Sequence, residues 1–211
     1  MTHTGDSAVD RRAKREYQAI MDLIQDGSSV LDLGCGDGEL LWLLVNRKRV
    51  KGRGIDISQQ AIQRCVMRGL SVSQEDIERG LSEYGDRAFD YVILNQSLQQ
   101  VMRLEEVLKE ALRVGRRVIV GFPNFAYYRS RLQMFIGGRT PVTPSLPHMW
   151  YDTPNLHFLS IRDFVVYCRE RRCTIDSAVF LSGERTVRLL PNLRAQTGVF
   201  LLSAGERTAP I

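Results

Sequence analysis

The chain has 211 residues, 44% of them hydrophobic and 25% charged, with a formal net charge of +5. That is enough for one sizeable core and short for two, so a single domain over residues 1–211 is expected. The mild positive excess comes with no nucleic-acid recognition motif, and the longest strongly apolar run, "ELLWLLV", is too short to span a bilayer; neither nucleic acid nor membrane is an expected partner.

Residues 1–10 are polar and read as disordered, without the apolar core of a signal peptide. "RRAKREYQAIMDLI" carries Tyr17, Ile20, Met21 and Ile24 at helical spacing, with a basic outer face. "SVLDL" reads as a buried strand, the glycine-rich "GCGDG" as a turn, and "ELLWLLVNRK" as a helix with basic residues in its last turn. The pattern repeats: "VKGRGIDI" is strand-like, and "SQQAIQRCVMRG" is a helix with a serine cap and a terminal Gly69. "LSVSQEDI" is a strand followed by a loop, "FDYVILN" the clearest strand, "RLEEVLKEALRVG" an amphipathic helix and "RRVIVGFPN" a further strand. Strands alternating with helices, several of them apolar on both faces, imply a doubly wound, mainly parallel α/β sheet.

Between Phe122 and Tyr167 the composition shifts: ten of the seventeen aromatics and five of the seven prolines lie there. Residues 123–157 read as an aromatic, proline-rich loop or lid, because "GGRTPVTPSLPHMWYDTPN" within them cannot hold a long helix or a central strand. "SIRDFVVYCRERR" gives another helix, capped by Ser160, and "TIDSAVFLSG" and "TGVFLLSAG" close the chain as strands. "ERTVRLLPNLRAQ" between them reads as a loop or a short helix.

The most informative stretch is "VLDLGCGDGELLWLL". Gly34, Gly36 and Gly38 are spaced GxGxG, not the GxGxxG of a dinucleotide turn. Asp37 inside the turn is an awkward neighbour for a pyrophosphate, whereas Asp32 on the strand side suits a cationic amino group. Asp56 ends the next strand, placed to accept both hydroxyls of a ribose. Asp76 follows the third strand and can accept from an exocyclic amine, with Ile57 and Ile77 flanking an adenine ring. A nucleoside joined to an amino acid without phosphate describes S-adenosylmethionine or its demethylated product, S-adenosylhomocysteine. Asn95, at the end of the fourth strand, completes the cofactor-binding set.

Cys35, Cys65, Cys168 and Cys173 contain no CxxC pair, and His3, His148 and His157 are scattered, so no metal is expected and a reducing, cytoplasmic setting is. Cys35 reads as a small packing residue. No catalytic residue is identified: His157 is a weak candidate for a general base over the cofactor mouth, against an ordinary hydrogen-bonded structural role. Asn124 orients a substrate or caps its own turn. Arg129, Arg131 and Arg139 grip an acidic substrate or a partner protein, or form a solvated face, and Trp150 with Tyr151 forms either a protein-contact site or core packing.

"VLDLGCGDG", "GIDIS" and "FDYVILNQSLQQV" resemble motifs of the class I S-adenosylmethionine-dependent methyltransferase fold over nearly the whole chain. That resemblance implies a seven-stranded sheet whose last strand is antiparallel. A closer similarity is to the methionine biosynthesis protein MetW family, carried by "VLDLGCGDGELL", "NQSLQQV", "EALRVGRRVIVGFPNF", "GGRTPV" and "WYDTPNLHF". It implies action together with a homoserine O-acyltransferase. The place of the Asn/Asp-Pro-Pro-aromatic tetrapeptide of many amino-directed methyltransferases holds "NQSLQQ" instead. Activity therefore stays open between an accessory or regulatory subunit and a true small-molecule methyltransferase, with a dinucleotide-dependent oxidoreductase disfavoured by the glycine spacing.

Overall fold

In the computed structural model, which describes residues 4–205, the alternation of the sequence becomes one sheet. The strands are β1 (Ser29–Leu33), β2 (Lys51–Asp56), β3 (Val72–Gln74), β4 (Phe89–Asn95), β5 (Gly115–Pro123), β6 (Cys173–Ser182), β7 (Arg185–Thr186) and β8 (Thr197–Ala204). They lie in the order β3-β2-β1-β4-β5-β8-β6-β7. Pairs β1 to β5 are parallel, and β8 runs antiparallel to both β5 and β6. The order reverses at β1 and β4, the position where open α/β sheets leave a ligand crevice beyond their carboxyl ends.

The helices are α1 (Thr4–Leu23), α2 (Glu39–Lys48), α3 (Gln59–Met67), α4 (Leu104–Val114), α5 (Tyr128–Gly137), α6 (Ile161–Glu170) and the single turn α7 (Pro191–Arg194). Strand β4 shows why both faces need cover. Val92 and Leu94 join one core cluster with Val107 and Leu108 of α4 and Phe164 of α6. Tyr91 and Ile93 point the other way, to Ile20 of α1, Ile24 just past its end and Leu44 of α2. The two-residue period of a strand thus feeds two cores, and the helical 3.6-residue period supplies a stripe to each. Helix α6 starts as its sequence dictates: Ser160 Oγ accepts from the Asp163 backbone N–H, and the Asp163 carboxylate accepts from that of Ser160.

Three expectations change. The sheet has eight strands, not seven. The extra strand, β7, pairs with the end of β6 across a two-residue turn at Gly183 and Glu184, with Gly183 at φ 58°. The segment 123–157 holds the ten-residue helix α5 before its proline-rich part, which forms only turns and a bridge between Thr143 and Leu146. Of the tail read as disordered, residues 1–3 lie outside the described residues, and from Thr4 the backbone is already helical. None of the described helices is long and apolar enough to cross a membrane.

Candidate ligand site at the carboxyl ends of the strands

Gly34, Gly36 and Gly38 connect β1 to α2, and all three have positive φ, at 78°, 53° and 72°. The backbone N–H groups of Gly34 and Cys35 both donate to the Ile55 carbonyl, at 2.8 and 3.0 Å, which pins the turn to β2. The glycines serve different ends. A Cβ at Gly38 would lie 2.5 Å from Leu70 Cδ1 and 2.7 Å from Cys65 Sγ, and one at Gly34 would lie 2.8 Å from Ser97 Cβ. A Cβ at Gly36 would meet nothing within 4 Å. Gly34 and Gly38 therefore allow the turn to pack, while Gly36 faces open space.

Asp56 latches this turn. Its Oδ2 accepts from the Gly36 N–H and its Oδ1 from the Ser58 N–H, each at 2.8 Å. Each oxygen keeps a further lone pair for a ligand hydroxyl. Asp32 lies behind the turn, only 3% exposed. Burial, and then the negative charge of Asp56, push its carboxyl up to about 7. Cys35 is buried beside them, and burial with the Asp32 charge drives its thiol far above the ordinary range, so it is packing and not a nucleophile. All four cysteines are free, and no cluster of metal-ligating side chains occurs among the described residues.

Ile57 is 68% exposed and shares a surface cavity of about 440 Å³ with Asp76, Gln74 and Glu75. Asp76 caps a short 3₁₀ turn, its Oδ1 accepting from the Glu78 N–H at 2.9 Å. Ile77 is half-buried and packs against the core cluster. Ile57 and Asp76 are thus brought together in one cavity, whose lining does not include Ile77.

Asn95 stands at the mouth of a second cavity, of about 270 Å³, between α1, the ends of β4 and β5, and residues 144–155. Its Oδ1 is buried without a hydrogen-bond partner. Gly121 makes room for it, since a Cβ there would lie 2.1 Å from that oxygen. Gln99 also lines the cavity and is 2% exposed; its Nε2 donates to the Gln96 carbonyl at 3.0 Å, and its Oε1 has no partner. Gln96, at φ 59°, donates through Nε2 to Glu16 Oε1 at 2.7 Å. Glu16 is itself buried. Beside it, the Tyr17 phenol is pushed up to about 12, first by burial and then by the charges of Glu39, Glu16, Asp32 and Asp37. Tyr17 lines this cavity with Glu16.

Sequence reasoning assigned Tyr17 to a helix core and missed Glu16. The signal was available: Glu16 precedes Ile20 by four positions, on the buried stripe of α1. His157 lies outside the cavity lining. Its Nε2 is 2.9 Å from the Val101 carbonyl, an acceptor, so the ring proton sits on Nε2; its backbone N–H donates to the Gln99 carbonyl at 3.1 Å. The histidine that lines the cavity is His148. Asn124 is fully buried: its Nδ2 donates to the carbonyls of Ala195 and Asn192, and its Oδ1 accepts from the N–H groups of Ala126 and Ile161. It ties the end of β5 to α6 and α7.

The sheet and its glycine turn define the class: a Rossmann-like α/β fold of the S-adenosylmethionine-dependent methyltransferase type. A methyltransferase of that description from Archaeoglobus fulgidus matches with a TM-score of 0.67 at 16% identity, covering 91% of this chain and 93% of that one. A putative methyltransferase in complex with the Haloferax volcanii activator Trm112 matches with a TM-score of 0.70 at 14% identity, over 97% and 95% of the two chains. Sequence then narrows the class. The model of the methionine biosynthesis protein MetW matches residues 14–202, and the chain belongs to that family. A relative from Rhodopirellula baltica, the bifunctional methionine biosynthesis protein MetXA/MetW, is 39% identical over 205 residues. The match takes in 91% of this chain, and the chain spans about a third of the relative, 33% of its length.

Proposed function

We propose that this protein binds S-adenosylmethionine or S-adenosylhomocysteine and acts in the cytoplasm with a homoserine O-acyltransferase, in the acylation step of methionine biosynthesis. The observation that carries the ligand assignment is the pairing of Gly36, open to solvent space where a side chain would stand, with the Asp56 carboxylate that it contacts. The residues fit the ligand. Asp56 would hold the ribose hydroxyls, Ile57 and Asp76 the adenine, and the backbone of Gly34 and Gly36 the methionine chain. Asp32 would balance the ligand's ammonium, which favours the ionised carboxylate. Asn95 would line the methionine end. When bound, S-adenosylmethionine supplies an electrophilic methyl group on a sulfonium. The partnership rests on the relative whose single polypeptide is named for both MetXA and MetW.

The test is titration calorimetry with S-adenosylhomocysteine. Asp56→Ala should weaken binding by about 1–3 kcal/mol, the loss expected when hydrogen bonds to a charged group are removed. Equal affinities for wild type and variant would sink the ligand assignment. Binding of a nicotinamide dinucleotide in its place would revive the oxidoreductase. Co-purification with homoserine O-acyltransferase tests the partnership.

A second reading, a small-molecule methyltransferase, is favoured by the cavity of about 270 Å³ beside Asn95, whose size suits a small acceptor and whose lining includes Asn95 and Gln99. Transfer of a radiolabelled methyl group to a small molecule would select it.

A further inference from the structure

Helix α5 buries one side chain, that of Ser130. Its apolar residues Leu132, Phe135 and Ile136 follow helical spacing, yet they face outward, 52%, 90% and 74% exposed. Past Gly138 the chain adds Trp150 and Tyr151, at 70% and 69%. Between α5 and the segment 139–157 that follows it, here the strap, runs an apolar groove of about 580 Å³ lined by Leu132, Ile136, Val142, Met149 and Arg139. Trp150 stands over a smaller groove that shares Arg139, Val142 and Met149. Large apolar side chains concentrated on one surface mark an interaction site, and aromatics beside a groove with arginine in its lining have the make-up of a binding hot spot.

The occupant follows from the fused relative. One polypeptide carries a unit 39% identical to this chain within a protein three times as long, named for MetXA as well. We infer that α5 and the strap through Tyr151 form the face that docks the homoserine O-acyltransferase, through an apolar ridge set in the groove and an acidic rim opposite Arg139. The inference rests on the partnership proposed above.

The experiment uses the whole chain and the acyltransferase of the same organism. Binding is measured by interferometry for wild type, for Phe135→Asp with Ile136→Asp, for Trp150→Asp, and for Met67→Asp as a control on α3, where Met67 is 79% exposed. Circular dichroism confirms that each variant is folded. The groove variants should lose about 30-fold or more in affinity, as for hot-spot residues, and the control less than about 3-fold. If wild type does not bind, the partnership itself fails and this inference with it. If wild type binds and the groove variants bind equally well, the partnership stands and the face is wrong. If light scattering shows wild type as a dimer and the groove variants as monomers that still bind, the face belongs to a second copy of this chain and the inference is overturned.

Discussion

Asp32 makes the stability of this protein depend on pH in a direction opposite to that of a salt-bridged carboxylate. Its carboxyl stands at about 7 in the fold, against 3.8 for the free side chain, through burial first and the charge of Asp56 second. Between those values the native state keeps a proton that the unfolded chain releases. The contribution of the neutral acid is therefore fully present below about pH 4 and is lost as pH rises through about 7. Each pKa unit is about 1.4 kcal/mol, so the loss approaches about 4 kcal/mol as an upper value, before water entry relaxes it. Asp32→Asn keeps the shape and stays neutral. Urea unfolding should find variant and wild type close in stability at about pH 4, with the variant ahead by a margin that grows up to about pH 7 and then levels. Asp56→Asn should shrink that margin by removing the second cause. A difference between Asp32→Asn and wild type that is flat across this range would refute the reasoning.

Asn124→Ala should lose about 3 kcal/mol or more in urea unfolding, because the buried backbone groups it joins from β5, α6 and α7 are left without partners; a loss under about 1 kcal/mol would deny it the role of structural knot. The glycine turn should divide by position. Gly36→Val should cost only the strain of a β-branched residue at positive φ and abolish binding of S-adenosylhomocysteine, whereas Gly38→Val carries the same strain and adds a clash with Leu70 and Cys65, so it should melt lower. Thermal melts and titration of both variants check this, and equal melting temperatures would contradict it.

The sheet was legible because its signal is local and repeated. β4 begins and ends where "FDYVILN" does, and α6 starts at the serine that its capping box requires. The glycine turn was legible because backbone conformation restricts residue type, and all three glycines adopt the left-handed values that favour glycine. What escaped lacks such marks. β7 is two residues long and gains its order from β6, not from its own pattern. α5 lies between Pro123 and Pro141, and reading the whole segment as one loop or lid hid this proline-free stretch. For Ile77 and His157 the deciding contacts lie far away along the chain: the core cluster for one, and for the other the Val101 carbonyl, which supports the hydrogen-bonded role among its two readings. Glu16 lies on a helix whose visible charge is basic, and its burial depends on Gln96, eighty positions away.

One segment joins the two surfaces. Pro147 and His148 line the inner cavity beside Asn95, and the next two residues, Met149 and Trp150, line the outer grooves. The strap is held from inside, where the Gln99 carbonyl accepts from the N–H groups of Leu156 and His157 while the Gln99 side chain lines the cavity. A ligand beneath the strap and a protein upon it therefore bear on the same stretch of backbone. Under the proposed function, occupation of one surface should alter the affinity of the other, and linkage makes the factor the same in both directions. A coupling of about 1–3 kcal/mol, roughly 5–150-fold, is the expected range for such a device. S-adenosylhomocysteine is titrated into the free protein and into its complex with the acyltransferase, and the acyltransferase into the protein with and without saturating ligand. The two ratios should agree with each other and differ from one. Affinities unchanged in both experiments, with ligand bound throughout, would make the two surfaces independent and rule out sensing of the ligand by the acyltransferase through this strap.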